Sequence, residues 1–107
     1  MTQTLRKNTP RRARRKACAL KARFSAETGP FHGQVTDLSL FGAFVDTTKP
    51  LPARSALDLF MELPGGNSVK TRGQVVWSQE TMGMGVEFTD LIGDSRDHIE
   101  RILSGLT

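Results

Sequence analysis

Basic side chains are concentrated at the start of this 107-residue chain. Residues 1–26 carry nine Lys and Arg side chains and no acidic one, and four of them lie in the run Arg11-Arg12-Ala13-Arg14-Arg15. The planar guanidinium group of arginine pairs bidentately with phosphate oxygens, so the run is suited to binding anions. Three interpretations are open for it: a solvated tail, an arm that binds nucleic acid, or one part of a compact site for a smaller anion.

A second group of polar residues lies in the segment Asp37-Leu38-Ser39-Leu40-Phe41-Gly42, which has the spacing D-x-S-x-x-G. In an extended segment, Asp37 and Ser39 would lie on the same side, two residues apart. The carboxylate accepts hydrogen bonds and the hydroxyl can donate or accept them. Gly42 permits a positive φ or a close approach of the backbone to a ligand. The alternative is local: Asp37 and Ser39 would form turn hydrogen bonds, and Gly42 would serve a β-bulge.

The formal net charge of +4 hides a strong asymmetry along the chain. Residues 27–107 carry the other six basic side chains and all eleven acidic ones, a balance of −5, against +9 for residues 1–26. The hydrophobic fraction of 37% and the chain length fit one globular domain. No apolar segment resembles a secretory signal or approaches the roughly 18 residues of a membrane span, so we expect an intracellular protein.

Metal and catalytic chemistry find little support in the composition. Cys18 is the single cysteine, which excludes an internal disulfide and a Cys-rich zinc site, and His32 and His98 lie far apart in sequence. We therefore expect no metal and no cofactor. No nucleophile, general base and oxyanion donor converge in the sequence, so we expect no enzyme activity.

The body of the chain is predicted to be mainly β. Segments alternate in polarity, as Leu20, Ala22 and Phe24 do against their polar neighbours, and turn residues separate them. The predicted strands are 20–25, 31–36, 41–46, 56–63, 68–78 and 82–88, with a hairpin turn at 64–67. Since no long helix connects two strands, this pattern indicates a small closed barrel or a sandwich.

A short helix is predicted at the carboxyl end. Asp94 or Ser95 can cap its start and Gly105 can end it. The apolar residues at helical spacing are Ile99, Ile102, Leu103 and Leu106. Because this stripe is narrow, the helix is expected to pack against the β-structure.

The two polar motifs resemble those of the PilZ domain family, the bacterial receptors for cyclic di-guanylate (cyclic di-GMP). The family is marked by RxxxR, matched by Arg11 and Arg15, and about twenty residues later by [D/N]xSxxG, matched by Asp37, Ser39 and Gly42. Four further segments resemble family strands: 20–24, 33–39, 73–77 and 83–88. The resemblance covers about residues 11–104. It implies a mainly β fold, an antiparallel barrel of about six strands with a short C-terminal helix over residues 11–107, preceded by a flexible tail over residues 1–10.

The resemblance also implies a ligand with two phosphodiesters and two guanine bases. Arginine suits both parts, because its fork pairs with phosphate oxygens and with guanine O6 and N7, and its plane stacks on a base. A carboxylate suits the N1–H and N2–H of guanine, which is the role implied for Asp37. The residues expected to bind cyclic di-GMP are Arg11, Arg12, Arg14, Arg15, Asp37, Ser39 and Gly42. Trp77 is expected in the core or the barrel wall rather than at the ligand.

The function implied is that of a cytoplasmic bacterial receptor that acts on a protein partner through a conformational change. Ligand anions would neutralise the basic segment and fold it over the barrel face. Motility, adhesion, exopolysaccharide and virulence are the outputs that the family suggests. Two alternatives remain: a small basic β-barrel that binds nucleic acid, and a PilZ scaffold that binds no nucleotide.

Overall fold

The computed structural model describes residues 14–27 and 29–105 of the chain. These residues form six strands and one helix in chain order. The elements are β1 (Lys16–Ala26), β2 (Gly29–Leu38), β3 (Gly42–Asp46), β4 (Ala56–Glu62), β5 (Ser68–Gln79), β6 (Gly83–Ile92) and α1 (Ser95–Leu103).

The six strands close into one antiparallel barrel in the order β1-β2-β3-β6-β5-β4, and β4 pairs back with β1. This confirms the predicted barrel with a short C-terminal helix and rules out the sandwich. Closure leaves no strand edge among these six unpaired. The predicted tail over residues 1–10 lies outside the residues that the structure describes, as do Arg11 and Arg12.

Alternating side chains fill the inside of the barrel. On β1, Leu20, Ala22 and Phe24 are buried while Lys21 and Arg23 are exposed, as the sequence alternation predicts. The predicted hairpin joins β4 to β5: the Leu63 N–H donates to the Asn67 carbonyl at 2.8 Å. Gly65 and Gly66 in this turn have φ values of 91° and 98°, which residues without a Cβ adopt at little cost.

Helix α1 packs on β5 and β6 through Ile99 and Ile102, both of which are buried. The predicted side-chain cap is not formed. Asp94 occupies the cap position, but its carboxylate pairs with His98 Nε2 at 3.3 Å. The buried Ser95 hydroxyl instead accepts the Lys70 N–H at 2.9 Å, which ties the helix start to β5. Gly105 follows the helix with φ 79°, as predicted for its end.

No helix within residues 14–27 and 29–105 is both long enough and apolar enough to cross a membrane.

Candidate functional site

The pairing of β1 with β2 brings the two polar motifs together. Lys16 lies opposite Leu38 and Ala17 opposite Asp37, so Arg15, just before β1, reaches the end of β2. The Arg15 guanidinium donates to the Asp37 carboxylate from Nη2 at 3.0 Å and from Nε at 3.2 Å. Both bonds end on the same oxygen, Oδ2. The two side chains are 49% and 38% exposed, so solvent and a ligand can reach the pair.

A β-bulge directs Asp37 outward. Val35 and Leu38 are both buried although they are three residues apart, which strict alternation forbids. The register between β2 and β3 shifts between Val35 and Asp37, and Thr36 is the extra residue. Without this bulge, Asp37 would follow Val35 into the core. Bulges often redirect a side chain beside a functional site in this way.

Ser39 shapes the turn between β2 and β3. Its hydroxyl oxygen accepts the N–H of Phe41 at 3.0 Å and that of Gly42 at 3.2 Å. The Ser39 N–H donates to the Gly42 carbonyl at 2.9 Å, and the residue is only 2% exposed. The expectation that Asp37 and Ser39 share one side of a strand is therefore wrong, because β2 ends at Leu38 and Ser39 turns inward. The local alternative holds for Ser39, whereas Asp37 pairs with Arg15.

Replacing the Ser39 hydroxyl is expected to loosen this turn. The Ser39→Ala variant leaves the N–H groups of Phe41 and Gly42, in a half-buried turn, without their acceptor, at a cost of about 1 kcal/mol in the free energy of unfolding. Urea denaturation measures the change. The control is Ser104→Ala, because that hydroxyl is exposed after α1, and its removal is expected to cost less than about 0.5 kcal/mol. Equal destabilisation by the two substitutions would contradict the role given to Ser39.

Gly42 lies where two backbones approach closely. Its φ is not in the positive region, and it pairs with Glu87 of β6. A Cβ at this position would collide with the Val86 carbonyl oxygen. The absence of a side chain at Gly42 thus allows the β3 backbone to approach the β6 backbone. Gly42 also lines the cavity beside Arg15.

A cavity of about 210 Å³ lies beside the Arg15–Asp37 pair. Arg15, Ser39 and Gly42 line one part of it, and Phe44 and Val76 line another. The sequence motifs gave no sign of this apolar part. Phe44 and Val76 lie on the outer face of their strands, while their strand neighbours fill the core. An apolar residue at an outward-facing strand position is the sequence signal that could have indicated the apolar part of the cavity.

Trp77 lies on the outer surface of the barrel, not in its core. It is 44% exposed, and its ring lies 5.8 Å from that of Phe44, centroid to centroid. Phe41, in the turn after Ser39, is 51% exposed. Phe41 and Phe44 therefore border the cavity with aromatic rings. Of the two positions expected for Trp77, the structure shows the barrel wall and not the core.

Cys18 lies close to this site but has an apolar role. Burial raises the pKa of its thiol, the Asp37 carboxylate raises that pKa further, and Lys16 lowers it. The thiol therefore stays protonated at neutral pH, and it donates to the Val35 carbonyl at 3.4 Å. A half-buried thiol of this kind acts as a small hydrophobe.

Arg14, directly before Arg15, is exposed, and Arg11 and Arg12 precede the residues that the structure describes. Across residues 14–27 and 29–105, no three His, Cys, Asp or Glu side chains are grouped so that they could hold a metal ion. The structure thus brings together Arg15, Asp37, Ser39 and Gly42 of the predicted site.

Comparison with known proteins identifies the family. The PilZ domain model matches residues 9–105. The fold is similar to that of the Bacillus subtilis inhibitor of motility, MotI/DgrA (TM-score 0.73, 13% identity, covering 88% of this chain and 49% of that chain). It is also similar to the PilZ domain of CeSA from a cellulose synthesizing bacterium (TM-score 0.65, 19% identity, covering 86% of this chain and 96% of that one).

This chain thus spans about half the length of the MotI/DgrA chain, and at such identities the two structures show the fold alone. The sequence has no significant match among curated proteins. The family model, in contrast, covers nearly the whole chain. The chain therefore belongs to the PilZ domain family, a family of receptors for cyclic di-GMP.

Proposed function

We propose that this chain is a non-catalytic receptor of the bacterial cytoplasm that binds cyclic di-GMP where Arg15 meets Asp37. The observation that carries the proposal is the contact itself. Arg15 of the first motif and Asp37 of the second lie 22 residues apart in sequence, yet Arg15 Nη2 lies 3.0 Å from Asp37 Oδ2. The pair is exposed and lies beside a cavity.

The exposed ion pair has the chemistry to bind a guanine nucleotide. Arg15 uses only Oδ2 of Asp37, and no described residue donates to Oδ1. The carboxylate can therefore accept the N1–H and N2–H of a guanine. Arg15 then offers its remaining N–H groups to a phosphate or to guanine O6 and N7. An exposed pair of this kind contributes about 0–1 kcal/mol to stability, so it can rearrange around a ligand at small cost.

The remaining predicted residues complete the proposed site. Arg11, Arg12 and Arg14 would supply further guanidinium groups for the two phosphodiesters. Ser39 and Gly42 would act at the cavity that they line, and they hold the turn that follows Asp37. The ligand's two negative charges would be balanced several times over by the basic segment.

The position of Asp37 argues against a nucleic-acid arm. A carboxylate at the end of the basic run repels a phosphate backbone, whereas it suits the edge of a guanine base. Affinity for nucleic acid would also fall steeply with salt concentration.

Calorimetry of the full chain at moderate salt tests the proposal. Cyclic di-GMP is expected to bind with micromolar or tighter affinity, and cyclic di-AMP at least about tenfold more weakly, because adenine lacks the donors that Asp37 accepts. Arg15→Ala and Asp37→Ala are each expected to remove the binding heat. The absence of heat with cyclic di-GMP, together with salt-sensitive binding to single-stranded DNA or RNA, would overturn the proposal.

Signal relay would begin in the basic segment. Anions of the ligand neutralise its charges, so saturating cyclic di-GMP is expected to slow amide hydrogen exchange across residues 6–16. Exchange measured by mass spectrometry, with and without ligand, reports the change. Unchanged exchange in a chain shown to bind ligand would eliminate this relay while leaving the binding site intact.

The output is proposed to be contact with a protein partner. One similar structure is named an inhibitor of motility, and the other comes from a cellulose synthesizing bacterium. Motility and exopolysaccharide production are therefore the outputs that we place first for this chain, before adhesion and virulence.

A further inference from the structure

A second surface, unrelated to the two motifs, combines cations with an aromatic ring. Arg23 of β1 lies opposite Phe60 of β4, which lies opposite Lys70 of β5, so the three side chains form one row across the outside of the barrel. The Arg23 guanidinium carbon lies 4.5 Å from the centre of the Phe60 ring, and Lys70 Nζ lies 5.8 Å from it. Each of the two cations thus lies within cation–π distance of the same ring.

A cavity of about 350 Å³ adjoins this row. Arg23, Phe60 and Lys70 line it together with Arg72 and Ile92, which is 40% exposed. Its volume is within the range of ligand sites. Asp58 also lines it, paired with Arg72, so the unpaired charges of the lining are the cations Arg23 and Lys70.

The two cations of the row form no ion pair with a described residue. Among the described residues, no carboxylate lies within 4.0 Å of Arg23 or Lys70, whereas Arg72 pairs with Asp58 at 3.5 Å. Residues 14–105 carry eleven basic and eleven acidic side chains, so two cations without an ion-pair partner are a local excess of positive charge.

The arrangement of charge favours discrete carboxylates over a nucleic-acid backbone. Asp58 and Glu62 flank Phe60 at two residues on either side and lie on the same face of β4. The unpaired cations therefore occupy a narrow row between two acidic positions. A nucleic-acid strand, with closely spaced phosphates, would meet these acids, whereas a peptide can place its carboxylates on the row alone.

This surface is separate from the proposed nucleotide site. The two cavities share no lining residue. The row is centred on β4, which lies three strands from β3 in either direction around the barrel, and β3 carries Gly42 and Phe44.

We propose that the row of Arg23, Phe60 and Lys70 docks an acidic segment of a protein partner. Carboxylates of that segment pair with Arg23 and Lys70, and an apolar side chain packs on Phe60 and Ile92. The proposal does not depend on nucleotide binding, so each of the two sites can fail without the other.

The test uses a fluorescein-labelled peptide made of glutamates around one phenylalanine and one leucine, and the same peptide with glutamine in place of glutamate. Fluorescence anisotropy with the full chain measures binding. The double variant Arg23→Gln, Lys70→Gln is expected to bind the glutamate peptide at least about tenfold more weakly. The matched control, Lys49→Gln with Arg101→Gln, removes the same charge elsewhere and is expected to change affinity less than about twofold.

The basic residues before β1 could attract the same peptide, so the site must also be located. In ¹H–¹⁵N spectra, the glutamate peptide is expected to shift the resonances of Arg23, Phe60 and Lys70. Shifts confined to residues before β1, or equal affinity in the two double variants, would overturn the proposal. Tighter binding of a single-stranded oligonucleotide at the same row would overturn it too, in favour of a nucleic-acid surface.

Discussion

Exchanging the charges of the central pair, Arg15→Asp with Asp37→Arg, is expected to abolish binding of cyclic di-GMP while the barrel stays folded. The exchange preserves a cross-strand ion pair, so the free energy of unfolding should change by less than about 1 kcal/mol. The ligand, however, would meet an arginine where its guanine needs an acceptor. We expect at least a 100-fold loss of affinity, about 2.7 kcal/mol, because buried charged hydrogen bonds at interfaces are worth about that much.

The matched control is the same exchange at another exposed pair, Arg72→Asp with Asp58→Arg. This pair joins β4 to β5 at 3.5 Å and lines no part of the motif site. Its exchange is expected to leave affinity for cyclic di-GMP within about twofold. If the Arg15→Asp, Asp37→Arg variant bound cyclic di-GMP with the affinity of the wild type, the pair would be a structural contact and not part of the binding site.

The second large effect is expected at Gly42. In the Gly42→Ala variant, the added methyl group collides with the Val86 carbonyl oxygen, and neither backbone can yield without breaking the β3–β6 pairing. Overpacking of this kind costs about 1–3 kcal/mol, and we expect the upper part of that range because the obstacle is backbone. Thermal or urea unfolding measures the loss. Affinity for cyclic di-GMP, measured where the variant is folded, is expected to fall at least about tenfold.

Gly85→Ala is the control for Gly42→Ala, because the two glycines line the same cavity. A Cβ at Gly85 would lie 3.8 Å from the Trp77 Cβ, an ordinary contact, and its φ is not in the positive region. Alanine there is expected to leave stability unchanged or to raise it by about 0.5 kcal/mol. A Gly42→Ala variant as stable as Gly85→Ala would contradict the close approach of β3 to β6.

The barrel is predictable from the sequence because alternation and turn residues act locally. Leu20, Ala22 and Phe24 show their burial in their spacing, and the glycines at 65–66 mark the hairpin. The strand ends are less predictable: β1 begins at Lys16 rather than Leu20, since backbone pairing with β2 continues through Lys16 and Ala17, which show no alternation of polar and apolar residues.

The geometry of the site depends on features that the sequence does not display. The motifs indicate Arg15 and Asp37, but their contact requires the register of β1 on β2 and the bulge at Thr36. The burial of Ser39 follows from the point at which β2 ends. The row of Arg23, Phe60 and Lys70 could not be predicted, because it requires β1 to pair with β4, and Arg23 and Phe60 lie 37 residues apart in sequence.

Chemical-shift mapping tests the central claim most directly, because it locates the ligand as well as detecting it. The ¹⁵N-labelled full chain is titrated with cyclic di-GMP to saturation. We expect the largest shifts at residues 14–16 and 37–42, including the Arg15 side-chain Nε, with Arg23, Phe60 and Lys70 nearly unchanged. Saturation without a shift at residues 37–42, or with shifts confined to the row on β4, would contradict the proposed site.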